Sequence, residues 1–158
     1  MRVSAKADYA LRALIEMAAR GGDSGADAGR PVSAEELGRL QGIPHNFLQA
    51  ILADLRRSGV VLAQRGQAGG WKLAKPADTV SVADVIRAVD GPLVSVYGLR
   101  PEAVSYNERA DVLQRVWIAA RHSLRDVFEQ VTVADLVAGT LPPEVARLTE
   151  DEDAWQPH

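Results

Sequence analysis

The sequence has 158 residues, of which 47% are hydrophobic and 25% charged, a composition that supports one compact domain with a small second lobe. It contains no cysteine, which excludes disulfides, zinc-thiolate sites, cysteine-ligated iron-sulfur clusters and thiol nucleophiles. The formal net charge is −3, but the charges are divided unevenly along the chain. Residues 1–75 carry 11 Lys and Arg against 7 Asp and Glu (+4), whereas residues 76–158 carry 7 against 14 (−7). This asymmetry indicates a basic half that faces nucleic acid, and chance scatter of the charges is the alternative.

The first predicted helix covers Ser4 to Arg20, where apolar residues recur at helical spacing before two glycines. Residues 21–30 are polar and rich in glycine, which predicts a loop. A second helix, from about Ala34 to Leu40, is preceded by Ser33, whose hydroxyl can accept from the amide of Glu36 while Glu36 reaches back as a capping box.

A third predicted helix follows a turn at Gly42, where positive φ is permitted, and Pro44 suits its first turn. One face of this helix is apolar and the opposite face is polar. The apolar face consists of Phe47, Leu48, Ile51, Leu52 and Leu55, and the polar face of His45, Asn46, Gln49, Arg56 and Arg57.

Two short strands, Val60 to Arg65 and Trp71 to Ala74, flank a turn with three glycines and predict a β-hairpin. Helix, turn, helix and hairpin is the order of a winged helix-turn-helix, here a DNA-binding domain over residues 1–75. We therefore predict a mainly α fold with a small β-hairpin (α+β).

Residues 76–139 are predicted to form an effector and dimerisation region. Ser81 and Asp84 resemble a capping box before a short helix that ends at Gly91, and residues 98–109 form a loop. A short helix over Thr132 to Ala138 precedes an acidic, frayed tail over residues 140–158.

A long helix from about residue 110 to 131 would span about 33 Å. A helix of this length in a small protein predicts contact with a second copy, and burial within the monomer is the alternative. The expected dimerisation residues are Leu113, Val116, Trp117, Ala120, Leu124, Val127 and Phe128.

The third helix carries the residue types that contact base edges in the major groove. Asn46 and Gln49, three residues apart, can each make a paired donor and acceptor contact with adenine, and His45 lies beside them. Arg56 is a further DNA-binding candidate, although it also suits the helix macrodipole. A solvated polar face is the alternative.

The hairpin tip, with Arg65, Gly66 and Gln67, suits a cation that approaches phosphate or enters a narrow minor groove. A plain hairpin turn is the alternative. Lys6, near the start of the first helix, is a further candidate for a phosphate contact.

Four residues, Tyr97, Tyr106, Trp117 and His122, are candidates for a small-molecule effector pocket, with packing in the core or interface as the alternative.

The three histidines share no ligand spacing, so we expect no metal site. Neither a catalytic triad order, a phosphate-binding glycine loop nor paired carboxylates can be identified, so we do not expect an enzyme. No apolar stretch approaches the roughly 18 residues that cross a bilayer, and Met1 to Lys6 does not resemble a secretory leader, which predicts a cytoplasmic protein without a membrane partner.

Several segments resemble the Rrf2 family of bacterial winged-helix transcriptional regulators, and they span nearly everything up to residue 139. The hairpin RGQAGGWKLA after the helix that begins IPHNFL is a specific combination. The resemblance implies a dimer whose long helices cross, base contacts from Asn46 and Gln49, and a wing arginine at Arg65. The similar segments are KADYALRAL, IPHNFLQAILADL, GVVLAQRGQAGGWKLA, VSVADVIRAVDG and TVADL.

Cluster-bearing members of that family have three cysteines in and around the loop before the dimerisation helix, and the corresponding loop, Gly98 to Asp111, has none. We therefore expect no iron-sulfur cofactor and a different, unknown signal, such as a small-molecule effector. The predicted function is a homodimeric regulator, a repressor, that binds a pseudo-palindromic operator in double-stranded DNA. The alternative is a winged-helix module that binds proteins and has lost DNA binding.

Overall fold

The computed structural model describes residues 3–20 and 30–157, so the predicted loop over 21–30 lies, except for Arg30, outside the described residues. The N-terminal half contains α1 (Ala5–Ala19), α2 (Ala34–Gln41), α3 (His45–Arg57), β1 (Val61–Gln64) and β2 (Gly70–Leu73). The C-terminal half contains α4 (Val82–Val89), α5 (Val112–Phe128), α6 (Val133–Ala138) and α7 (Pro143–Arg147). The predicted mainly α fold with one small hairpin is confirmed. None of the helices in these ranges is both long and apolar enough to cross a membrane.

The first two helices begin at serine caps, of which the one at Ser33 was predicted. Ser4 accepts the backbone N–H of Ala7 at 2.9 Å, and Ser33 accepts that of Glu36 at 3.1 Å, which pairs amides that a helix leaves free at its start. The second half of the predicted capping box is wrong, because the Glu36 carboxylate accepts from Arg20 at 2.8 Å instead of reaching back.

The core of the N-terminal half lies where α1, α3 and α4 pack together. Three alanines of α1 are fully buried, and their small side chains let the neighbouring helices approach closely. The fully buried residues of α3 are Leu48, Ile51, Leu52 and Leu55. Phe47 was predicted on the same apolar face, and this is wrong: it is 58% exposed, because it lies about 90° around the helix from the centre of the buried stripe.

The hairpin is attached to the helical body by an isolated β-bridge. β1 and β2 pair antiparallel, and Val32, just before α2, forms a bridge with Trp71 through backbone hydrogen bonds of 3.0 and 2.8 Å. Gly70 has φ +150°, and a Cβ there would lie 2.6 Å from the carbonyl oxygen of Val32. Only glycine therefore permits this close approach.

The N-termini of α4 and α6 lie side by side. Ser81 and Thr132 each cap their helix with a complete capping box, and the two residues form an antiparallel bridge. The box at Ser81 agrees with the sequence prediction, whereas that at Thr132 was not predicted. The chain thus returns after α5 to the point where α4 begins, and α6 packs against α1.

The long helix is shorter than predicted. α5 has 17 residues and spans about 26 Å, because residues 107–111 form turns before it. Within one chain, the predicted dimerisation residues differ in exposure from one end of α5 to the other. Leu113 and Val116 are 42% and 48% exposed, whereas Val127 and Phe128 are half-buried against the residues that surround Val131.

Part of the tail is held in place. Val145 of α7 is buried against Val82 and Val131, and residues Glu152–Trp155 form a single 3-10 turn. The prediction of a frayed tail over residues 140–158 is therefore wrong for α7, because an apolar side chain fixes this helix to the body.

Candidate nucleic-acid interface

The outward face of α3 carries only uncharged and basic side chains. His45, Asn46, Gln49 and Arg56 are all exposed. Within residues 3–20 and 30–157, none of these four side chains has a hydrogen-bond or ion-pair partner. Their donors and acceptors are therefore available to a molecule outside the protein.

The acidic residue of α3 is withdrawn from this face. The Asp54 side chain is 16% exposed, and Nζ of Lys6 lies 2.5 Å from its Oδ2, while Arg57 lies 2.9 Å from Oδ1. The pKa of Asp54 is lowered, chiefly because Lys6 donates a hydrogen bond to it, and burial opposes this with a smaller effect. Since α3 contains no other acidic residue, its outer face presents no uncompensated negative charge.

The position of Lys6 contradicts its predicted phosphate contact. Besides Asp54, its ammonium group donates to the carbonyl oxygen of Val89 at 2.7 Å, so two of its three donors are used inside the protein. Lys6 thus joins α1 to α3 and to the last residue of α4.

The wing tip matches the predicted arrangement. Arg65, Gly66 and Gln67 are exposed, and the N–H of Gly69 donates to the carbonyl oxygen of Gly66 at 2.9 Å. A Cβ on Gly69 would lie 2.3 Å from the carbonyl oxygen of Gln64, so this tight turn requires glycine. In the described part of the chain the Arg65 side chain has no partner. A free cation at a narrow tip is the geometry that inserts into a minor groove.

A shallow groove of about 350 Å³ runs between α3 and the hairpin. It is lined by Gln49, Ala53, Arg56, Arg57 and Trp71. The structure therefore brings Gln49 and Arg56, two of the predicted DNA-binding residues, to the side of the hairpin, whereas Lys6 lies elsewhere.

Phe47 is the functional candidate that the sequence analysis missed. It is exposed in the first turn of α3, and an apolar side chain at this end of the helix can contact a thymine methyl group in the major groove. The spacing gives only a weak signal, because Phe47 is four residues before Ile51 and therefore lies at the edge of the buried pattern that begins at Leu48.

The residues predicted to line an effector pocket do not come together. Tyr97 is 92% exposed in a tight turn, and His122 is exposed beside Asp126. Only Tyr106 and Trp117 meet, where the indole N–H donates to the Tyr106 hydroxyl at 3.0 Å. A single aromatic pocket built from these residues is therefore wrong.

The helix-turn-helix, its wing and the outer face of α3 together define the class of the protein, a winged-helix regulator that binds DNA. Residues 3–139 match the model of the family described as Rrf2, iron-dependent transcriptional regulator. The chain belongs to the Rrf2 family, as its sequence motifs predicted, and is a DNA-binding transcriptional regulator.

Related proteins are similar in sequence or structure over almost the whole chain. A helix-turn-helix transcriptional regulator of Mycobacterium tuberculosis is 42% identical over 156 residues, which cover 99% of this chain and 93% of that protein. The solved structure of CymR, the global cysteine regulator of Bacillus subtilis, has a TM-score of 0.70 and 26% identity and covers 89% of this chain and 98% of its own. IscR of T. potens has a TM-score of 0.65 and 26% identity, covering 100% and 93%.

The family description mentions iron, but the residues of this chain do not fit a thiolate-ligated cluster. The sequence has no cysteine at any position, including the segment Gly98 to Asp111. Among the residues that the structure describes, no three His, Asp or Glu side chains are grouped so that they could share a metal ion. The donor set needed for such a cluster is missing from the sequence itself.

Proposed function

We propose that this protein is a homodimeric repressor that binds a pseudo-palindromic operator in the cytoplasm and catalyses no reaction. In each protomer α3 enters the major groove, and the wing contacts the neighbouring phosphates or minor groove. The observation that carries this proposal is the outer face of α3, where unpaired amides and Arg56 are exposed and the carboxylate of Asp54 is compensated by Lys6.

The base contacts come from the first turns of α3. Asn46 and Gln49 offer paired contacts to adenine, His45 offers a ring nitrogen, and Phe47 offers apolar contact to thymine. Contacts to the DNA backbone come from Arg56. The wing contributes Arg65, Gly66 and Gln67.

Dimerisation is supported by the apolar surface that α5 leaves in water. Leu113 and Val116 are exposed together with Val112 on one side of α5, and each Å² of apolar surface covered contributes about 25 cal/mol. A second copy that pairs along α5 would cover this surface. Half-buried side chains continue the same stripe toward the C-terminal end of the helix. They are Trp117, Ala120, Leu124, Val127 and Phe128.

Control of DNA binding comes from a signal other than an iron-sulfur cluster, because the chain has no thiolate to ligate one. A bound dimer represses by blocking access of RNA polymerase to the promoter. The second candidate function, a protein-binding winged helix, differs in its salt dependence, because only phosphate contacts make affinity fall steeply with salt.

The test is a footprint on the DNA upstream of the protein's own gene, followed by fluorescence anisotropy on the protected fragment. We expect Arg65→Ala to weaken binding at least tenfold and to reduce the slope of log K against log salt by about 1, as expected for one lost phosphate contact. Arg109→Ala removes an exposed arginine outside the DNA-binding half and is the matched control. Equal affinities for both variants would remove the wing from the interface. DNA binding that is absent, or that does not weaken with salt, would favour the protein-binding module.

A further inference from the structure

A basic cavity of about 400 Å³ lies between α4 and α5, away from α3 and the wing. Its walls are the last turn of α4, the segment that follows this helix, and one side of α5. The lining consists of Arg87, Arg100, Arg121, Arg125, Glu129 and residues 91–93.

Arginines are concentrated around this cavity, although the C-terminal half of the sequence is acidic. Residues 76–158 contain seven basic residues, all arginine, and 14 acidic residues. Four of these seven arginines line this one cavity, beside a single acidic residue. Four guanidinium groups around one space repel one another, so the arrangement favours an anion between them.

Two carboxylates hold three of the guanidinium groups in position. Glu129 accepts from Nε of Arg125 at 3.0 Å and from Arg87, and Arg121 donates to Glu102 at 2.5 Å. The hydrogen bonds from Arg125 and then Arg87 lower the pKa of Glu129 to about 2, so this carboxylate is ionised at neutral pH. Each guanidinium has five N–H donors, so donors remain for a ligand.

Arg100 supplies a cation that is not already paired. In the described ranges its side chain has no hydrogen bond or ion pair, and its charge contributes only a small part of the lowering of the Glu102 pKa. The residues that line the cavity include four arginines and Glu129, a net charge of +3. The carboxylates of Glu102 and Asp84 lie outside this lining and pair with Arg121 and Arg87, which reduces the net charge to +1. The cavity therefore favours an anion, and its four guanidinium groups offer separate partners for the two charged groups of a dianion.

We propose that this cavity binds a small organic dianion, either a dicarboxylate or a phosphate monoester, and that the bound ligand controls DNA binding. Guanidinium groups form paired hydrogen bonds with both kinds of anion, and the volume is that of a small-molecule site. The control of DNA binding rests on the function proposed above, whereas binding of the ligand does not.

The cavity connects the dimerisation helix with the DNA-binding half. Arg87 belongs to α4, which packs against α1 and α3, whereas Arg121 and Arg125 belong to α5. A dianion that bridges these arginines fixes the relative position of α4 and α5. In a dimer held together by α5, this sets the distance between the two α3 helices and hence the fit to two half-sites.

Isothermal titration calorimetry on the full chain tests the binding. The anionic probes are succinate and glycerol 3-phosphate, with succinamide and glycerol as neutral counterparts. We expect one site per chain for at least one anion and none for its neutral counterpart, and the two anions distinguish the ligand class. Arg100→Gln should weaken binding at least tenfold, and Arg109→Gln, an exposed arginine outside the cavity, should leave it unchanged. Absence of binding for both anions, or equal losses in the two variants, would overturn the proposal.

The second measurement is the affinity for the footprinted DNA with and without the anion that binds. We expect at least a fivefold change for the unmodified protein and none for Arg100→Gln. An anion that binds without changing DNA affinity would disprove the regulatory role. If the anion binds and the protein does not bind DNA, the proposed function fails while the site stands.

Discussion

Two cations share the carboxylate of Asp54, and they differ in exposure. The Lys6 side chain is 33% exposed, whereas that of Arg57 is 77% exposed. A charge-assisted hydrogen bond in partly desolvated surroundings contributes about 1.5–3 kcal/mol, and an exposed ion pair contributes about 0–1 kcal/mol. At the scale of single residues, Lys6 therefore stabilises the packing of α1 on α3 as well as compensating the charge beneath the DNA-binding face.

Lys6→Met is expected to lower the free energy of unfolding by about 1–3 kcal/mol, and Arg57→Met by about 0–1 kcal/mol, in urea unfolding at pH 7. Because the folded state lowers the pKa of Asp54, its contribution is present above the ordinary value of 3.8 and is lost as pH falls through the lowered value. The difference between the two variants should therefore shrink in acid. Equal stabilities at pH 7, or a difference that grows as pH falls, would contradict this role.

The short helices of the C-terminal half depend on caps and on one small apolar cluster. α4, α6 and α7 have 8, 6 and 5 residues, and isolated helices of such lengths are unstable in water. The capping boxes of α4 and α6 pair their first amides. Val82, Val131 and Val145 form a cluster that joins α4 and α7 to the segment between α5 and α6. At the scale of elements, burial of one valine keeps α7 on the body.

Val145→Ala should lower the free energy of unfolding by about 1–2 kcal/mol, because it removes two buried methyl groups. Leu148→Ala is the matched control, since Leu148 follows the same helix and is exposed, and it should change stability by less than about 0.5 kcal/mol. Urea unfolding followed by circular dichroism measures both. A Val145→Ala protein as stable as the unmodified one would support the frayed tail that the sequence predicted.

The whole molecule has an apolar surface that one chain does not cover. α5 has no buried residue, and one side of its first two turns exposes the aliphatic residues Val112, Leu113 and Val116. Leu113 and His122 are nine residues apart and so lie on opposite sides of this helix. The side of Leu113 is the one expected to face a second copy.

Leu113→Asp is expected to convert the dimer to a monomer, because it places a charge in an apolar interface. His122→Asp adds the same charge to the opposite, exposed side of α5 and should leave the dimer intact. Analytical ultracentrifugation measures the mass, and anisotropy on the footprinted fragment should show a loss of affinity only for Leu113→Asp. A Leu113→Asp protein that remains dimeric would exclude this face of α5 as the interface.

Features that depend on neighbouring positions could be predicted without coordinates. The caps at Ser33 and Ser81, the left-handed turn at Gly42 and the glycine-rich hairpin all involve residues within a few positions of one another. The motifs of the family have the same local character. For this reason the order of elements and the winged helix followed from spacing and residue type, and the class of regulator from the resemblance of the motifs to the family.

Features that depend on distant residues required the packing of the helices. Lys6 and Asp54 are 48 positions apart, and the sequence pattern does not indicate that a lysine of the first helix compensates the charge of an aspartate in the third. The basic cavity likewise collects arginines from α4, from α5 and from the segment between them, in a half of the chain whose net charge is negative. Spacing determines which face of a helix is apolar, whereas the angles at which helices pack determine which polar residues meet, and only the tertiary structure contains those angles.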